Sequence, residues 1–225
     1  MHIEAVLFDL DGTLLDRKAS LIDFLRWQVE GMLKTEVIKK DRFIERFIAL
    51  DANGLVWKDQ VYATLIDEFS ISHWSVVDLL TSYELCFCAF SRPMKGAGEA
   101  LNTIKNMGVK IGLVSNGKSP FQERNFTALG FSDLFDTVLV SDAVGWRKPE
   151  KEIFELACDM LSIRPHSTIF VGDSEESDIA GANHVGMHSI YLCAPGQKKS
   201  TRADAVCTEL KALPGIIQDL ENAGV

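Results

Sequence analysis

The sequence has neither a long apolar run nor a block of basic residues. Because no apolar stretch is long enough to cross a bilayer, we expect no membrane span and no membrane partner. The formal net charge is −9 and the basic residues are scattered, which argues against binding to a nucleic-acid polymer. The opening residues Met-His-Ile-Glu lack a basic segment followed by an apolar core, so we expect no signal peptide.

Cysteine is scarce, odd in number and scattered along the chain. Cys86 and Cys88 lie close together, but their spacing is not the Cys-x-x-Cys of redox and zinc motifs. The other three are Cys158, Cys193 and Cys207. A disulfide framework is therefore not expected, and such cysteines are typical of small core residues in a reducing compartment. We expect a cytoplasmic protein.

Apolar runs and helical patterns alternate over most of the 225 residues, a length that allows one large domain or a domain with an insert. Five short apolar runs predict β-strands at Ile3–Phe8, Lys110–Val114, Thr137–Val140, Thr168–Val171 and Ser189–Leu192. Helical patterns lie between the later runs, at Gly96–Met107, Phe121–Leu129 and Pro149–Leu161. This alternation predicts an α/β fold with a Rossmann-like, doubly wound parallel sheet.

Residues 15–90 break this alternation. Four helical patterns follow one another there without a strand, at Leu21–Lys34, Lys40–Ala49, Lys58–Phe69 and Ser75–Phe90. Together they are long enough to pack against one another. The sequence therefore predicts an inserted α-helical cap domain, 15–90, and an α/β core domain formed by 1–14 and 91–225.

Two carboxylates follow the first predicted strand, in Asp9-Leu10-Asp11-Gly12-Thr13-Leu14. In extended backbone, residues i and i+2 point the same way, so Asp9 and Asp11 would face one site. Like charges this close are unfavourable unless a cation lies between them or one carboxyl holds a proton. Because ligands of open α/β sheets bind at the carboxyl ends of the strands, the motif indicates a Mg²⁺ and phosphate site. The alternatives are an ordinary turn and a calcium loop, but the twelfth position of that loop, Ser20, is not the required Glu.

Polar residues also follow the later predicted strands. Ser115-Asn116-Gly117 offers a hydroxyl, an amide and backbone donors to a phosphate group. Arg147 and Lys148 follow the third strand, where either cation would offset negative charge. Gly172-Asp173-Ser174 follows the fourth strand and leads into Asp178. Singly, these groups are also typical of a turn, a solvated basic pair and a helix N-terminus, whereas in this order they predict one site.

In this order the motifs resemble those of haloacid dehalogenase (HAD) superfamily hydrolases, and the resemblance covers essentially the whole chain. Asp9–Leu14 is similar to the family's first motif and Ser115 to its second. Lys148, in Arg-Lys-Pro, matches the third motif, and Gly172–Ala182 matches the fourth. The resemblance implies an HAD-like core with a C1-type helical cap.

The resemblance also implies catalytic and substrate-binding roles. Asp9 is the implied nucleophile, which forms an aspartyl-phosphate, and Asp11 protonates the leaving oxygen and then deprotonates the attacking water. Lys148, Ser115 and the backbone of Asn116-Gly117 are implied to hold the phosphoryl oxygens.

The implied cofactor is Mg²⁺. The Asp9 carboxylate, the Asp11 backbone carbonyl and Asp173 are its implied ligands, which suit a hard cation. Asp178 is implied to hold a metal-bound water or to orient Lys148.

We therefore expect Mg²⁺-dependent hydrolysis of a small phosphomonoester, with a nucleotide, a sugar phosphate and phosphoglycolate as candidate substrates. A β-phosphoglucomutase-like phosphotransferase would use the same residues and is the main alternative. Asp11 disfavours a 2-haloacid dehalogenase, because attack on carbon needs no acid for a leaving oxygen. The intact acids at every motif likewise disfavour a non-catalytic binding protein.

Caps of this type close over the leaving group, so the resemblance places substrate specificity there. Arg17, Trp57 and Lys58 are candidate specificity residues, the last two directly after the turn Asp51–Gly54. Trp57 could stack on a base or sugar and Lys58 could meet a second anion. The alternative is that Trp57 packs between helices and Lys58 is solvated. Arg147 is expected at the surface or facing the cap.

Overall fold

The computed structural model describes residues 2–33, 40–193, 200 and 202–224. The chain divides into two compact units, one formed by Met1–Arg17 with Ser91–Val225 and the other by Lys18–Phe90. The boundaries drawn from the sequence lie after residues 14 and 90, and the units change after Arg17 and Phe90.

The first unit is built on a six-stranded, fully parallel sheet. Its strands are β1 (Ala5–Phe8), β2 (Lys110–Ser115), β3 (Thr137–Val140), β4 (Thr168–Gly172), β5 (His188–Leu192) and β6 (Ala205–Cys207). The order across the sheet is β3-β2-β1-β4-β5-β6, and β1 pairs with β2 on one side and β4 on the other. The predicted parallel α/β fold is confirmed. Strands β2 and β3 are added on one side of β1, and strands β4 to β6 on the other. Parallel sheets bind ligands at such a switch point, which here lies between β1 and β4.

Helices connect the strands and form the second unit. In chain order, the α-helices of the described residues are α1 (Arg17–Gln28), α2 (Lys40–Asp51), α3 (Lys58–Glu68), α4 (Val76–Cys86), α5 (Ala97–Asn106), α6 (Phe121–Ala128), α7 (Ser141–Val144), α8 (Lys151–Leu161), α9 (Ala180–His184) and α10 (Leu213–Ala223). Within the described chain, no helix has both the length and the apolar character that crossing a membrane requires.

Side chains of β1 alternate between the two faces of the sheet, as a buried parallel strand requires. Ala5 and Leu7 belong to a cluster that includes Phe154 of α8. Phe8 points to the other face, where its ring lies 6.3 Å from that of Phe135. Side chains of other segments therefore pack on both faces of β1, and the carboxyl edge of the sheet stays available for a site.

Strand β6 and helix α10 are among the elements of the first unit that were absent from the sequence prediction. Strand β6 has only three residues, Ala-Val-Cys, and such a short run gives no periodicity that distinguishes a strand. Helix α10 begins with a proline in its first turn and buries Leu213, Ile217 and Leu220 along one side. That spacing is a helical signal which the sequence analysis did not use.

The second unit is helical throughout its described residues, with aromatic side chains at its centre. Phe24 of α1 contacts Tyr83 of α4, and Phe47 of α2 contacts Tyr62 of α3. The helix predicted over Leu21–Lys34 begins earlier, at Arg17, and changes to a wider turn at Val29–Leu33. Its predicted last residue, Lys34, lies outside the described residues.

All five cysteines are free thiols. Three of them, Cys158, Cys193 and Cys207, are buried, and Cys86 and Cys88 are partly buried. They therefore pack as small apolar side chains.

Candidate active site

The carboxyl ends of the central strands bring the predicted site residues together within the first unit. Asp9 directly follows β1, and its backbone N–H donates to the Val171 carbonyl of β4 at 2.9 Å. Ser115 is the last residue of β2, and Asp173 directly follows β4. Parallel pairing aligns these strand ends, which explains why residues more than a hundred positions apart share one site.

Lys148 forms the positive centre of this site. Its Nζ lies 2.6 Å from Asp9 Oδ1 and 2.8 Å from Asp178 Oδ1, with all three side chains nearly or fully buried. The same nitrogen lies 5.1 Å from the centre of the Phe170 ring. Burial alone would lower the pKa of Lys148, but Asp178 and Asp9 outweigh it and raise that pKa above its ordinary value. The ammonium group therefore stays charged at neutral pH.

Three carboxylates lie close together at this site. Asp9, Asp173 and Asp178 each offer an oxygen within 4.8 Å of the others. Burial raises the pKa of Asp9 from 3.8 to about 8, since Lys148 offsets only part of the effect and the other two acids add to it. Water-poor surroundings and Asp178 raise the pKa of Asp173 to about 6, although part of Asp173 remains exposed. The cluster therefore carries more negative charge than Lys148 can neutralise.

Two glycines leave room for these carboxylates. A Cβ at Gly12 would lie 2.2 Å from Asp173 Oδ2, and Gly12 also has a φ of +85°, which favours glycine. A Cβ at Gly172 would lie 2.3 Å from Asp178 Oδ2. The backbone of the first and fourth motifs is thus shaped around the acids.

Both oxygens of Asp178 are engaged. Oδ1 contacts Lys148, and Oδ2 accepts from the Ser174 backbone N–H at 3.0 Å. Asp178 lies at the end of a wide helical turn, Glu175–Ile179, which continues into α9. This arrangement fixes the position of the lysine ammonium, and it also places Asp178 inside the carboxylate cluster.

Asn116 connects two of the motifs through its side chain. Its amide nitrogen donates to the Lys148 carbonyl at 2.8 Å, and its amide oxygen accepts from the Lys148 N–H at 2.9 Å. This amide was a predicted phosphate donor, whereas in the structure it fixes the loop that carries Lys148. The Gly117 N–H donates to Ser141 Oγ at 3.0 Å, so Gly117 connects the end of β2 to the start of α7.

Lys58, a candidate specificity residue of the second unit, lies in a different environment from the one expected. Lys58 is 1% exposed, pairs with Asp51 at 2.5 Å and donates to the Val56 carbonyl. Its Nζ also lies 5.6 Å from the Trp57 ring, and Trp57 packs edge-on against Tyr83. Lys58 is therefore neither solvated nor placed as an open anion site, because its charge is committed to a buried ion pair.

The two candidate arginines lie nearer the surface. Arg17 is partly buried and begins α1, while Arg147 is exposed. The backbone N–H of Arg147 donates to Glu150 Oε2 at 3.0 Å. This places Arg147 on the surface, one of the two positions expected for it.

One buried polar residue at the site was missed by the sequence analysis. Gln122, in the first turn of α6, donates from its side chain to Asp11 Oδ2 at 2.7 Å. The only signal in the sequence is a glutamine five residues after Gly117, which by itself is an ordinary helix residue.

Fold and site together define an α/β enzyme whose chemistry centres on buried carboxylates at the carboxyl edge of a parallel sheet. The model of the haloacid dehalogenase-like hydrolase family matches residues 6–192. The chain belongs to this family, which confirms the predicted family and the prediction of a hydrolase.

Similar proteins support this assignment. A glyceraldehyde 3-phosphate phosphatase of Pyrococcus furiosus is 27% identical over 230 residues, covering 96% of this chain and 94% of that protein. The structure of an HAD phosphatase from Thermococcus onnurineus is 28% identical with a TM-score of 0.69, covering 96% of this chain and 98% of that one. A putative β-phosphoglucomutase from Thermotoga maritima has a TM-score of 0.77 over 97% of this chain and 100% of that one, but at 18% identity it shows the fold alone.

Proposed function

We propose that this protein is a phosphatase that hydrolyses a small phosphomonoester with Mg²⁺ and through an aspartyl-phosphate formed on Asp9. The observation that carries the proposal is the buried contact of 2.6 Å between Asp9 and Lys148 at the end of β1, with Asp11 two residues further along. A carboxylate held next to a cation can meet a phosphate dianion that would otherwise be repelled.

Asp9 acts as the nucleophile in this proposal. An oxygen of its carboxylate forms a bond to phosphorus while the bond from phosphorus to the leaving oxygen breaks. Lys148 holds Asp9 in a fixed position and offsets the charge on the phosphoryl oxygens. Ser115, buried at the end of β2, supplies a hydroxyl at the same edge of the sheet.

Asp11 moves the proton in both halves of the reaction. It donates a proton to the leaving oxygen as the alcohol departs, and then takes one from the water that attacks the aspartyl-phosphate. Water oxygen binds phosphorus, the bond from phosphorus to Asp9 breaks, and inorganic phosphate is released. Asp9 and Asp11 thereby return to their starting states.

The acidic cluster fits a divalent metal ion. Carboxylate oxygens are the ligands that Mg²⁺ prefers, and the Asp9–Asp173–Asp178 cluster has an excess of negative charge. Asp9, Asp173 and the Asp11 backbone carbonyl would hold the ion, with Asp178 adjacent to it. When bound, Mg²⁺ supplies charge neutralisation at the phosphoryl group and at Asp9.

The substrate that we propose is a small phosphorylated metabolite, either a nucleotide, a sugar phosphate or phosphoglycolate. Glyceraldehyde 3-phosphate joins these candidates, because the phosphatase named for it aligns over nearly its whole length. We also propose a cytoplasmic location, which the five free thiols support.

Removal of the metal is expected to abolish phosphate release. With EDTA, turnover of the best phosphomonoester should fall by at least about 100-fold, since a catalytic metal contributes several kcal/mol to the transition state. Mg²⁺ in excess of the chelator should restore it. The measurement is inorganic phosphate released from nucleotides, sugar phosphates, glyceraldehyde 3-phosphate and phosphoglycolate.

The same screen separates the alternative activities. Isomerised sugar phosphate without free phosphate would indicate the phosphotransferase, and halide release from a 2-haloacid that persists in EDTA would indicate a dehalogenase. No turnover of any phosphomonoester with Mg²⁺ would refute the proposed activity.

A methyl group at residue 12 is expected to weaken metal binding. In Gly12→Ala the new Cβ would collide with Asp173 Oδ2 and move that carboxylate. The Mg²⁺ concentration that gives half-maximal activity should therefore rise by at least about 10-fold. The matched control is Gly108→Ala, because Gly108 has a similar φ of +81° and open space around it. Both variants share the backbone strain, so an equal Mg²⁺ requirement in the two would contradict the role of Asp173.

A further inference from the structure

Gln122 is a buried side chain that reaches two parts of the site at once. Its Nε2 lies 2.7 Å from Asp11 Oδ2, 3.2 Å from Ser115 Oγ and 3.3 Å from the Asn116 carbonyl oxygen. The residue is 3% exposed. One amide group thus connects the end of β1, where Asp11 lies, with the end of β2, where Ser115 lies.

The groups around Gln122 indicate the orientation of this amide. Asn125, one helical turn further along α6 and 1% exposed, directs its side-chain NH₂ to Gln122 Oε1 at 3.4 Å. A rotated Gln122 amide would place its oxygen where Nε2 now lies, 3.3 Å from the Asn116 carbonyl oxygen, which only accepts hydrogen bonds. That contact is repulsive, so Gln122 presents its N–H donors to the site.

Gly117 provides the space that Gln122 needs. A Cβ at residue 117 would lie 2.7 Å from Gln122 Cγ and 2.9 Å from its Nε2. Any side chain at this position would therefore displace the amide from Asp11 and Ser115.

We propose that Gln122 is a positioning residue that holds the Asp11 carboxyl group through Oδ2, so that Oδ1 carries the proton for the leaving oxygen. The inference rests on the function proposed above. In a protonated carboxyl group the carbonyl oxygen is a better hydrogen-bond acceptor than the hydroxyl oxygen, so the N–H donor 2.7 Å from Oδ2 favours the proton on Oδ1. The Gln122 amide therefore selects which carboxyl oxygen acts as the acid.

The proposed contact also stabilises the product of the proton transfer. As the bond between phosphorus and the leaving oxygen breaks, the proton passes from Asp11 Oδ1 to that oxygen and the alcohol leaves. Asp11 becomes a carboxylate, and its hydrogen bond from Gln122 becomes stronger because the acceptor is now charged. Asp9 carries the phosphoryl group at this stage.

Leaving groups of different basicity test this proposal. An alkyl phosphate needs a proton on its leaving oxygen, whereas p-nitrophenyl phosphate has a stable leaving anion. The quantity to measure is kcat/KM, which reports the steps up to departure of the leaving group. The two substrates are p-nitrophenyl phosphate and the alkyl phosphate that the wild-type chain turns over fastest in the screen above.

Gln122→Met keeps the length of the side chain and removes the donor. We expect kcat/KM for the alkyl phosphate to fall on the order of 10²-fold, within the range of general acid catalysis, and that for p-nitrophenyl phosphate by less than about 3-fold. Gln122→Glu, which keeps a polar side chain of equal size, should show the same selective loss if Gln122→Met folds poorly. Thr127→Ala, at an exposed position of the same helix, is the control, with melting temperatures measured for all variants.

Three outcomes would overturn the proposal. Equal losses on both substrates would mean that Gln122 acts through Ser115 and Asn116 alone. Unchanged kcat/KM in both variants would mean that Asp11 needs no such contact. In either case wild-type turnover leaves the proposed function standing, whereas a wild-type chain inactive on both esters would refute that function and this inference together.

Discussion

Asp9→Asn is expected to abolish phosphate release while the fold is retained. An amide oxygen at this position cannot form the aspartyl-phosphate, so kcat/KM should fall by at least about 10⁴-fold, as for other variants that lack the nucleophile. The substitution changes one atom, and Lys148 keeps its contact with Asp178 at 2.8 Å. The measurement is inorganic phosphate release with Mg²⁺, together with circular dichroism to verify the fold.

Asp159→Asn is the matched control, because Asp159 is exposed on α8 and the change in charge is identical. It should retain wild-type turnover. Full activity in Asp9→Asn would rule out Asp9 as the nucleophile, and an unfolded Asp9→Asn chain would contradict the structural part of the prediction.

The same variant also has a thermodynamic signature that follows from the raised pKa. In the metal-free protein the pKa of Asp9 is about 8, against 3.8 for an unperturbed Asp. The folded state therefore binds more protons than the unfolded state between these values, and Asp9 lowers stability progressively as the pH rises from about 4 to about 8. Asn stays neutral, so metal-free Asp9→Asn should melt at no lower temperature than wild type at pH 7.5.

A lower melting temperature of Asp9→Asn under these conditions would show that the Asp9–Lys148 contact outweighs the burial of charge. The expected result instead means that the site is held in a state that costs stability without the metal. Such costs are usual where buried charges serve chemistry.

The strand ends show why so much of the site could be predicted from the sequence. Asp9, Ser115 and Asp173 each follow a short apolar run, and in a parallel sheet all such positions meet at one edge. The rule needs only strand order and direction. It therefore located these residues without any knowledge of side-chain contacts.

The same rule could not find Gln122 or assign the Asn116 side chain. Both depend on contacts between chain segments that the topology brings together, and a glutamine in a first helical turn or an asparagine before glycine has many ordinary uses. Strand β6 was not predicted for a different reason, because three residues are too few to show an alternation of apolar and polar side chains. Local sequence patterns identify helices, strands and their ends, whereas contacts between side chains of distant segments are seen only in the folded structure.

The buried ion pair of Lys58 is another contact that could not be predicted from the sequence. A lysine directly after a turn is expected to be solvated, yet its side chain and that of Asp51 are each 2% exposed and lie 2.5 Å apart. Its Nζ lies 5.6 Å from the Trp57 ring centre and 5.7 Å from that of Tyr83. The charge is therefore shielded from water and lies near the Asp51 carboxylate and the rings of Trp57 and Tyr83.

Lys58→Met is expected to destabilise the helical unit by about 3–5 kcal/mol, because it leaves the Asp51 carboxylate buried without its ammonium partner. Urea unfolding followed by circular dichroism measures the change. Lys151→Met provides the contrast, since Lys151 pairs with Glu155 at 3.6 Å where both side chains are about half exposed, and its loss should cost less than about 0.5 kcal/mol.

The double variant Lys58→Met with Asp51→Asn identifies the cause of the loss. Asn at residue 51 still offers an oxygen to the Gly54 N–H, which now donates to Asp51 Oδ2 at 2.9 Å, but it carries no charge. If the unpaired charge is what destabilises Lys58→Met, the double variant should be more stable than that single variant. A double variant as unstable as Lys58→Met would instead assign the loss to the lysine's packing and its aromatic contacts. The sign of this difference decides whether the pair or the packing stabilises the turn between α2 and α3.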